Sequence, residues 1–495
     1  MHKYILAIDE GTTGTRVLLL NHGADLIAQA YSEFPQIYPQ PGWVEHNPTI
    51  IWATTLELIK QVLNQSGARP EEIAGLGITN QRETCLMWDR RTLEPVHNAI
   101  VWQCRRSADI CEQLKQQGLE PLFAAKTGLV IDAYFSGTKL KWLFDNNPGL
   151  RQRAASGELA FGTIDSWLVA KLSGGRVHVT DYTNASRTLL YNIHEQRWDD
   201  ELLRILDIPA AILPEVVASA AVVGNTDPTL LGAAIPIAGI AGDQQAALFG
   251  QGCFYKGQAK NSYGTGCFLL RNMGTDRIEP PQGLLLTLAC TETGQPCYAL
   301  EGSVFMGGAT IQWLRDGLGI ITNAAETQAI AASVPDTGGV YMVPAFAGLG
   351  APYWDMYARA AIQGLSRAST RAHIVRAGLE GIAYQIKDLA GAFKQAAGED
   401  FSELRVDGGA CQNDFLMQFQ ADILGCPVDR ARQIESTGLG AAYLAGIATG
   451  FWQPGRGISE LRKSDRVFRP QIDEDERARL YAGWSEAVRR VRSDF

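Results

Sequence analysis

The sequence predicts an α/β protein built from two related domains. Strand-like and helix-like segments mix throughout both halves of the chain, which favours an α/β fold over an all-α or all-β one. A Gly-Thr turn between two apolar runs occurs near the N-terminus and returns about half a chain later. The length of 495 residues also exceeds what one hydrophobic core normally supports. Together these observations indicate a duplicated domain.

The first Gly-Thr turn has the residues that a phosphate site needs. Apolar runs at positions 4–8 and 17–20 flank the sequence Asp9-Glu10-Gly11-Thr12-Thr13 and predict a buried β-hairpin. Backbone N–H groups, a carboxylate near Mg²⁺ and a glycine that permits close backbone approach would together suit a nucleotide. The alternative is an ordinary surface turn, since Gly, Thr and Asp are common turn residues.

The second Gly-Thr turn repeats this arrangement. Residues 258–263 lead into Gly264-Thr265-Gly266, and a further apolar run follows at 267–270. We place the domain boundary in the segment 250–257, which gives domains of residues 1–250 and 251–495. The first domain would hold the acceptor pocket and the first phosphate hairpin, and the second domain the other hairpin and the adenosine site.

A third glycine turn lies further along the second half. Residues 404–407 read as a strand that ends in Asp407-Gly408-Gly409-Ala410, followed by apolar residues at helical spacing. An upstream helix is predicted by one apolar face, formed by Val375, Leu379, Ile382, Ile386 and Leu389. The P-loop, dinucleotide-binding and protein-kinase signatures do not occur in the sequence. An ATP site would therefore be built from the three glycine turns.

Candidate acceptor residues follow strand-like segments in the first half. Asp243 comes after the apolar run 237–242, where ligands of α/β sheets usually bind, although a helix N-cap is the simpler interpretation. Arg82 and Glu83 offer hydrogen-bond donors beside an acceptor, as adjacent hydroxyl groups require, or form an exposed ion pair. Trp102 and Tyr134 suit the carbon side of a small polyol, or are core aromatic residues.

Composition argues against several other classes of protein. The net charge of −9 without a basic stripe disfavours a nucleic acid as the main partner. Nine scattered cysteines without C-x-x-C pairs favour reduced thiols in a cytoplasmic protein. The N-terminus lacks the pattern of a signal peptide, and the uncharged segment 436–455 is rich in Gly, Ala and Thr, which predicts a packed helix. We therefore do not expect an integral membrane protein.

A series of short motifs follows in order along nearly the whole chain: Asp9-Glu10-Gly11-Thr12-Thr13, Pro41-Gly42-Trp43-Val44-Glu45-His46, Gly77-Ile78-Thr79-Asn80-Gln81-Arg82-Glu83-Thr84, Trp102-Gln103-Cys104-Arg105-Arg106, Tyr134-Phe135-Ser136-Gly137-Thr138-Lys139, Asp181-Tyr182-Thr183-Asn184-Ala185-Ser186-Arg187-Thr188, Gly242-Asp243-Gln244-Gln245-Ala246-Ala247-Leu248-Phe249-Gly250, Tyr263-Gly264-Thr265-Gly266-Cys267-Phe268 and Gly350-Ala351-Pro352-Tyr353-Trp354-Asp355. In this order they resemble the glycerol kinase branch of the FGGY carbohydrate kinases, a family of the actin, hexokinase and chaperone-ATPase superfamily. The resemblance implies two duplicated ribonuclease-H-like domains, as in actin-like ATPases, with the active site in the cleft between them.

The resemblance also implies a reaction and a set of site residues. ATP would phosphorylate a terminal hydroxyl group of glycerol, giving sn-glycerol 3-phosphate and ADP in glycerol catabolism. Asp243 would be the catalytic base, and Asp9 and Asp243 would lie near Mg²⁺. The glycerol pocket would comprise Arg82, Glu83, Trp102, Tyr134, Asp243, Gln244 and Phe268, and the ATP site Thr12, Thr13, Gly14, Arg16, Thr265, Gly308, Gln312, Gly409 and Asn413. Similar kinases form homodimers and homotetramers, which the resemblance implies here too.

Three positions depart from the family pattern. Glu10 replaces a common Gln and would bring an extra negative charge near the phosphates, Gly14 replaces a frequent Ser, and Ala133 replaces a usual Pro before Tyr134. Two rival functions stay open at this point. One is an FGGY kinase for another polyol or ketose, such as erythritol or xylulose, and the other is an actin-type nucleotide switch without a small acceptor.

Overall fold

The computed structural model describes residues 2–493 as an α/β protein with two large mixed sheets. The strands are β1 (Tyr4–Glu10), β2 (Gly14–Leu20), β3 (Leu26–Glu33), β4 (Glu45–His46), β5 (Ile73–Asn80), β6 (Cys85–Asp89), β7 (Ala99–Ile100), β8 (Leu159–Thr163), β9 (Val179–Asp181), β10 (Tyr191–Asn192), β11 (Arg197–Trp198), β12 (Glu215–Val217), β13 (Ala220–Asn225), β14 (Pro236–Gly242), β15 (Ala259–Tyr263), β16 (Cys267–Gly274), β17 (Leu285–Ala289), β18 (Cys297–Val304), β19 (Tyr341–Val343), β20 (Ala361–Gln363), β21 (Leu404–Asp407), β22 (Val428–Ala431) and β23 (Ser464–Phe468).

Helices cover both faces of these sheets. They are α1 (Pro48–Ser66), α2 (Ala108–Gln116), α3 (Glu120–Thr127), α4 (Ser136–Asn146), α5 (Pro148–Ala155), α6 (Ile164–Leu172), α7 (Tyr182–Ala185), α8 (Asp200–Ile205), α9 (Pro228–Leu231), α10 (Asp243–Gly250), α11 (Gly308–Asp316), α12 (Glu326–Ala332), α13 (Arg371–Ala397), α14 (Asp414–Leu424), α15 (Ser436–Ala448), α16 (Arg456–Ser459) and α17 (Glu474–Arg489). Short 3₁₀ turns occur at Pro70–Glu72, Ala210–Ile212 and Gly409–Gln412.

The two large sheets repeat one topology. The first has the order β13-β14-β5-β1-β2-β3, in which β1, β5 and β14 are parallel and the other strands antiparallel to their neighbours. The second has the order β17-β18-β16-β15-β21-β22-β23, with β15, β21 and β22 parallel. Each sheet therefore contains a hairpin, β1-β2 or β15-β16. The first strand of each hairpin pairs in parallel with a later strand, β1 with β5 and β15 with β21. Both predicted hairpins and the predicted duplication are confirmed.

The sequence pattern explains the buried positions of these strands. All residues of β5 are buried, as expected for a strand covered by helices on both faces. The predicted apolar face of the long helix α13 is also buried, from Val375 to Leu389, against the second sheet. A separate four-stranded sheet, β4-β7-β6-β8, lies beside the first sheet and forms a core of its own with α2 and α4.

Two helices cross over between the halves and pack against each other. Helix α10 follows β14 but contacts β15 and β16, whereas α15 packs on β5, β14 and β1. Glycines permit their close approach: a Cβ at Gly440 would lie 1.9 Å from the carbonyl oxygen of Ala246, and one at Gly250 would lie 2.0 Å from that of Ser436. This contact holds the middle and the end of α10, the helix that begins at Asp243.

The cysteines and the uncharged segment 436–455 pack as the sequence predicts. All nine cysteines are buried and unbonded to one another. The uncharged segment at 436–455 begins with the packed helix α15, as predicted. Across residues 2–493, no helix is both long and apolar enough to cross a membrane.

Candidate active site

The candidate site lies where the parallel strands of the first sheet end. Asp9 is near the end of β1, and Asp243 directly follows Gly242, the last residue of β14. Between them β5 ends at Asn80, which pairs with both Glu10 and Gly242. Ligands of open α/β sheets bind at such strand ends, and the topology brings the two predicted metal-binding carboxylates to the same edge.

Arg82 and Glu83 are fully buried, so the alternative of an exposed ion pair is wrong. Glu83 has a φ of +60°, a left-handed conformation that is rare for a residue with a side chain and clusters at functional sites. The Nε atom of Arg82 lies 3.1 Å from Oδ1 of Asp243. The turn after β5 therefore places Arg82 beside the predicted base.

A buried ion network holds this pair in place. The two Nη atoms of Arg82 donate to the two carboxylate oxygens of Glu301 at 2.5 and 3.0 Å. Arg187 donates from Nε to Glu83 at 2.6 Å and from Nη2 to Glu301 at 3.1 Å. Burial alone would raise the pKa of Glu301, but the guanidinium groups of Arg187 and Arg82 lower it to about 2. Glu301 belongs to β18, so the second half of the chain anchors two arginines of the first.

Trp102 and Tyr134 line one wall together. Their rings meet edge to face with centroids 5.4 Å apart, and both side chains are half-buried. The Trp102 indole donates to Oγ1 of Thr12 at 2.9 Å, which joins the predicted acceptor pocket to the first phosphate turn. Tyr134 is held through its backbone, since its N–H donates to Asp132 at 2.8 Å and the buried Lys139 donates to its carbonyl oxygen. These contacts constrain the loop although Ala133 replaces the usual Pro.

Gln244 and Phe268 complete the predicted acceptor set. Gln244 is buried, and its Oε1 accepts from Nζ of Lys260 at 2.6 Å. Phe268 is half-buried on β16 and pairs with Ser262 of β15. Asp243 keeps 29% of its side chain exposed, and its Oδ1 accepts from the backbone N–H of Gln244 at 2.7 Å. The simpler interpretation of Asp243 as a helix N-cap is wrong, because Gly242 is the N-cap of α10 and Asp243 is its first residue.

Asp9 has an environment suited to a cation. Burial raises its pKa to about 7, and the neighbouring carboxylates of Glu435 and Asp243 add to the rise. Mg²⁺ in nucleotide sites is usually bound by one or two carboxylates together with phosphate oxygens and water. The pair Asp9 and Asp243 fits this donor set. Within residues 2–493, no group of three or more His, Cys, Asp or Glu side chains could hold a metal ion.

Glu10 does not bring the extra charge that the sequence suggested. Burial raises its pKa to about 8, so the neutral acid predominates near pH 7. The hydroxyl group of Thr15 donates to one of its oxygens across the hairpin. Glu10 is therefore part of the hairpin core.

The first phosphate turn connects β1 and β2. Thr12 and Thr13 lie at its tip, where Thr13 is exposed and its carbonyl oxygen accepts from Phe34 at 3.3 Å. Gly14 is buried at the start of β2, and a Cβ there would lie 2.5 Å from the carbonyl oxygen of Ser32. Close strand packing thus explains the glycine at this position. Arg16 pairs with Glu435 of the second half.

The second half contributes the remaining predicted nucleotide residues. Thr265 is exposed in the β15-β16 turn, and its carbonyl oxygen accepts from the N–H groups of Gly307 and Ala309 at the start of α11. Gly308 donates to the carbonyl oxygen of Gly264 at 2.8 Å, and Gln312 is exposed one turn further along α11.

The third turn follows β21. Gly408 has a φ of +85° and a Cβ there would lie 2.6 Å from the carbonyl oxygen of Tyr263, so the position requires glycine. Gly409 next to it is exposed. Asn413 caps α14 by accepting from the N–H of Leu416 at 3.0 Å and donates to Thr327. The tight packing of Gly408 on Tyr263 brings the second and third turns together.

Sequence reasoning missed three charged residues of this site. Arg187 was part of a recognised motif but had no role, and Glu301 and Lys260 were not singled out. All three are fully buried. Glu301 is a charge within the otherwise mostly apolar strand β18, a signal that could have identified it, whereas the polar sequence of β15 does not single out Lys260.

Comparisons with known proteins identify the family of the chain. Residues 4–250 match the N-terminal domain, and residues 259–449 the C-terminal domain, of the FGGY family of carbohydrate kinases. The chain is 58% identical over 489 residues to a glycerol kinase of Symbiobacterium thermophilum, covering 99% of this chain and 98% of the relative. It is 56% identical over 488 residues to glycerol kinase 2 of Thermotoga maritima, with the same coverage. The crystal structure of Plasmodium falciparum glycerol kinase with ADP superposes with a TM-score of 0.93 at 36% identity, covering 99% of this chain and 98% of that one.

Proposed function

The chain belongs to the FGGY family of carbohydrate kinases, and we propose that it transfers the γ-phosphoryl group of ATP to a terminal hydroxyl group of glycerol. The products are sn-glycerol 3-phosphate and ADP, as in glycerol catabolism. The contact of 3.1 Å between Arg82 and Asp243, beside the wall of Trp102 and Tyr134, carries this proposal. It supports a small acceptor with adjacent hydroxyl groups next to a carboxylate base.

Asp243 is proposed as the base. The acceptor hydroxyl oxygen forms a bond to the γ-phosphorus while the bond from that phosphorus to the β–γ bridging oxygen breaks, and the hydroxyl proton passes to Asp243. Both Nη atoms of Arg82 donate to Glu301, and Nε forms an ion pair with Asp243 at 3.1 Å. In this way the ion network places a fixed positive charge beside the base before the reaction begins.

Glycerol binding is assigned to the buried polar groups and the aromatic wall. Glu83 accepts from acceptor hydroxyl groups, and Trp102, Tyr134 and Phe268 cover the carbon atoms. Glu83 is fixed by Arg187 at 2.6 Å, so it enters the reaction already oriented.

ATP is assigned to the three glycine turns. Thr12, Thr13, Gly14 and Arg16 serve the phosphates from the first half, and the second half contributes Thr265, Gly308, Gln312, Gly409 and Asn413. Asp9 and Asp243 would hold Mg²⁺, which neutralises phosphate charge when bound. Residues 1–250 and 251–495 would act as the two domains, and their closure would exclude water that otherwise hydrolyses ATP.

The proposal is tested by coupled measurement of ADP release with ATP and Mg²⁺. Parallel reactions contain glycerol, erythritol, xylulose or no acceptor. We expect fast release with glycerol only. A preference of tenfold or more in kcat/KM for a longer acceptor would reassign the pocket, and release that is independent of every acceptor would support the nucleotide switch.

Assembly and location are further proposals. We expect a homodimer or homotetramer in the cytoplasm, with glycerol and ATP rather than nucleic acid as partners; the family membership supports this. Light scattering on the purified chain measures its mass against 53.9 kDa for one copy.

A further inference from the structure

Lys260 is a fully buried lysine between the two halves of the chain. It lies on β15, and its Nζ donates to Oε1 of Gln244 at 2.6 Å and to Oγ of Ser262 at 2.8 Å. Across the described residues, no carboxylate lies within 4.0 Å of this ammonium group. The carboxylates of Asp407, Asp243 and Glu301 stabilise the charge only from a longer distance, and burial outweighs them. A buried cation without a direct counterion is a poor stabiliser of the fold, which points to another role for the lysine.

The contact with Lys260 sets the direction of the Gln244 amide. An ammonium group has three hydrogen-bond donors and no acceptor, so the carbonyl oxygen of Gln244 must face it and the NH₂ group must face away. Burial lowers the pKa of Lys260 to about 8, which leaves the charged form predominant at neutral pH. For the NH₂ group, the part of the chain from residue 2 to 493 provides no hydrogen-bond acceptor.

The NH₂ group of Gln244, which has no partner among the described residues, lies next in sequence to the proposed base Asp243. The backbone N–H of Gln244 donates to Oδ1 of Asp243 at 2.7 Å, so the two residues share the start of α10. An acceptor hydroxyl that gives its proton to Asp243 has lone pairs left on its oxygen. A neighbouring NH₂ group can donate a hydrogen bond to that oxygen and so orient it.

We propose that Lys260 is a positioning residue, supplied by the second half, that orients the Gln244 carboxamide so that its NH₂ group donates to the acceptor hydroxyl. This inference rests on the proposed function. Lys260 and Gln244 belong to different halves, and α10 packs on β15. The second half therefore orients a side chain next to the proposed base of the first.

The test compares Lys260→Met, Lys260→Arg, Gln244→Ala and the double variant Lys260→Met/Gln244→Ala. Methionine keeps the length of the side chain but removes its donors. We expect Lys260→Met to lower kcat/KM for glycerol about 10- to 100-fold, the usual scale for a misaligned reactant, with the Tm equal to or above that of the wild type. Lys260→Arg restores a cationic donor and should recover part of the activity.

The double variant decides whether Lys260 acts through Gln244. In the Gln244→Ala background, the further effect of Lys260→Met should stay within about twofold. Lys256→Met is the matched control, because Lys256 is an exposed lysine of the same half whose Nζ lies 3.8 Å from Oδ2 of Asp276. The kinetics of this variant should equal those of the wild type.

Three results would overturn the inference: unchanged kinetics of Lys260→Met, a loss of the same size in both backgrounds, or a loss that accompanies a lower Tm. Wild-type enzyme, assayed in parallel, distinguishes failure of the inference about Lys260 from failure of the proposed function. An active wild type with any of these results contradicts the inference alone. A wild type without glycerol-dependent ADP release contradicts the proposed function and the inference together.

Discussion

The guanidinium group of Arg82 joins Asp243, at 3.1 Å from Nε, to Glu301, at 2.5 Å from Nη1. One residue of the first half thus links the proposed base to a carboxylate on the second sheet. Because Glu301 occupies both Nη atoms, the direction of Nε is fixed. The position of the base therefore depends on contact between the halves.

Replacing Asp243 tests the base directly. We expect Asp243→Asn to lower kcat by a factor of about 10² to 10⁴, the usual scale for loss of a general base, because the amide cannot accept the proton. Binding of ATP and glycerol, measured by calorimetry, should stay near that of the wild type. A kcat close to wild type would remove Asp243 from this role.

Replacing Glu83 tests acceptor binding. We expect Glu83→Ala to raise the KM for glycerol more than it lowers kcat, because the contact exists before and during transfer. The alanine also leaves Arg187 with fewer partners, and breaking a buried ion pair costs about 3–5 kcal/mol of unfolding free energy. Glu83→Gln is the matched control, since its oxygen still accepts from Arg187 and stability should fall less. A pure loss of kcat in both variants argues against the assignment.

Replacing Gly440 tests the contact between α10 and α15. A Cβ at this position would lie 1.9 Å from the carbonyl oxygen of Ala246, so Gly440→Ala should lower the unfolding free energy by about 1–3 kcal/mol or more and displace α10. Because Asp243 begins that helix, kcat should fall as well. Gly391→Ala is the control: a Cβ there meets nothing within 4 Å in α13, and stability should rise by about 1 kcal/mol. Equal effects of the two substitutions would contradict the packing argument.

Asp388 predicts a pH dependence of stability. It accepts from Tyr481 at 2.7 Å and Trp484 at 2.9 Å, and burial raises its pKa to about 7. Between the unfolded pKa of 3.8 and pH 7 the folded state binds the extra proton, so this contribution to stability is complete below pH 3.8 and is lost as pH rises through 7.

The neutral variant Asp388→Asn should lack this dependence. Relative to the wild type, its unfolding free energy should therefore rise between pH 4 and pH 8, by up to roughly 4 kcal/mol for a pKa shift of this size. Urea unfolding at several pH values measures the difference. A constant or falling difference would mean that Asp388 is not protonated in the folded protein.

The sequence by itself determined the local elements and the residue types of the site. Apolar runs around a turn and helical apolar patterns depend on near neighbours, so the hairpins β1-β2 and β15-β16 and the buried face of α13 could be predicted. Their repetition was enough to predict two related sheets. The residues Asp9 and Asp243 could be named because Asp9 lies next to the end of an apolar strand and Asp243 directly follows one.

Only the tertiary structure decided which groups meet. Glu301 contacts Arg82 across 219 positions of the chain, and no local pattern specifies such a partner. The need for glycine at Gly440 likewise comes from a carbonyl oxygen on another helix. Burial also changed the charge expected of Glu10, because the pKa of a carboxyl group depends on the solvent that folding removes. Partners distant in sequence and the loss of water exist only in the folded chain, and for this reason they could not be read from the sequence.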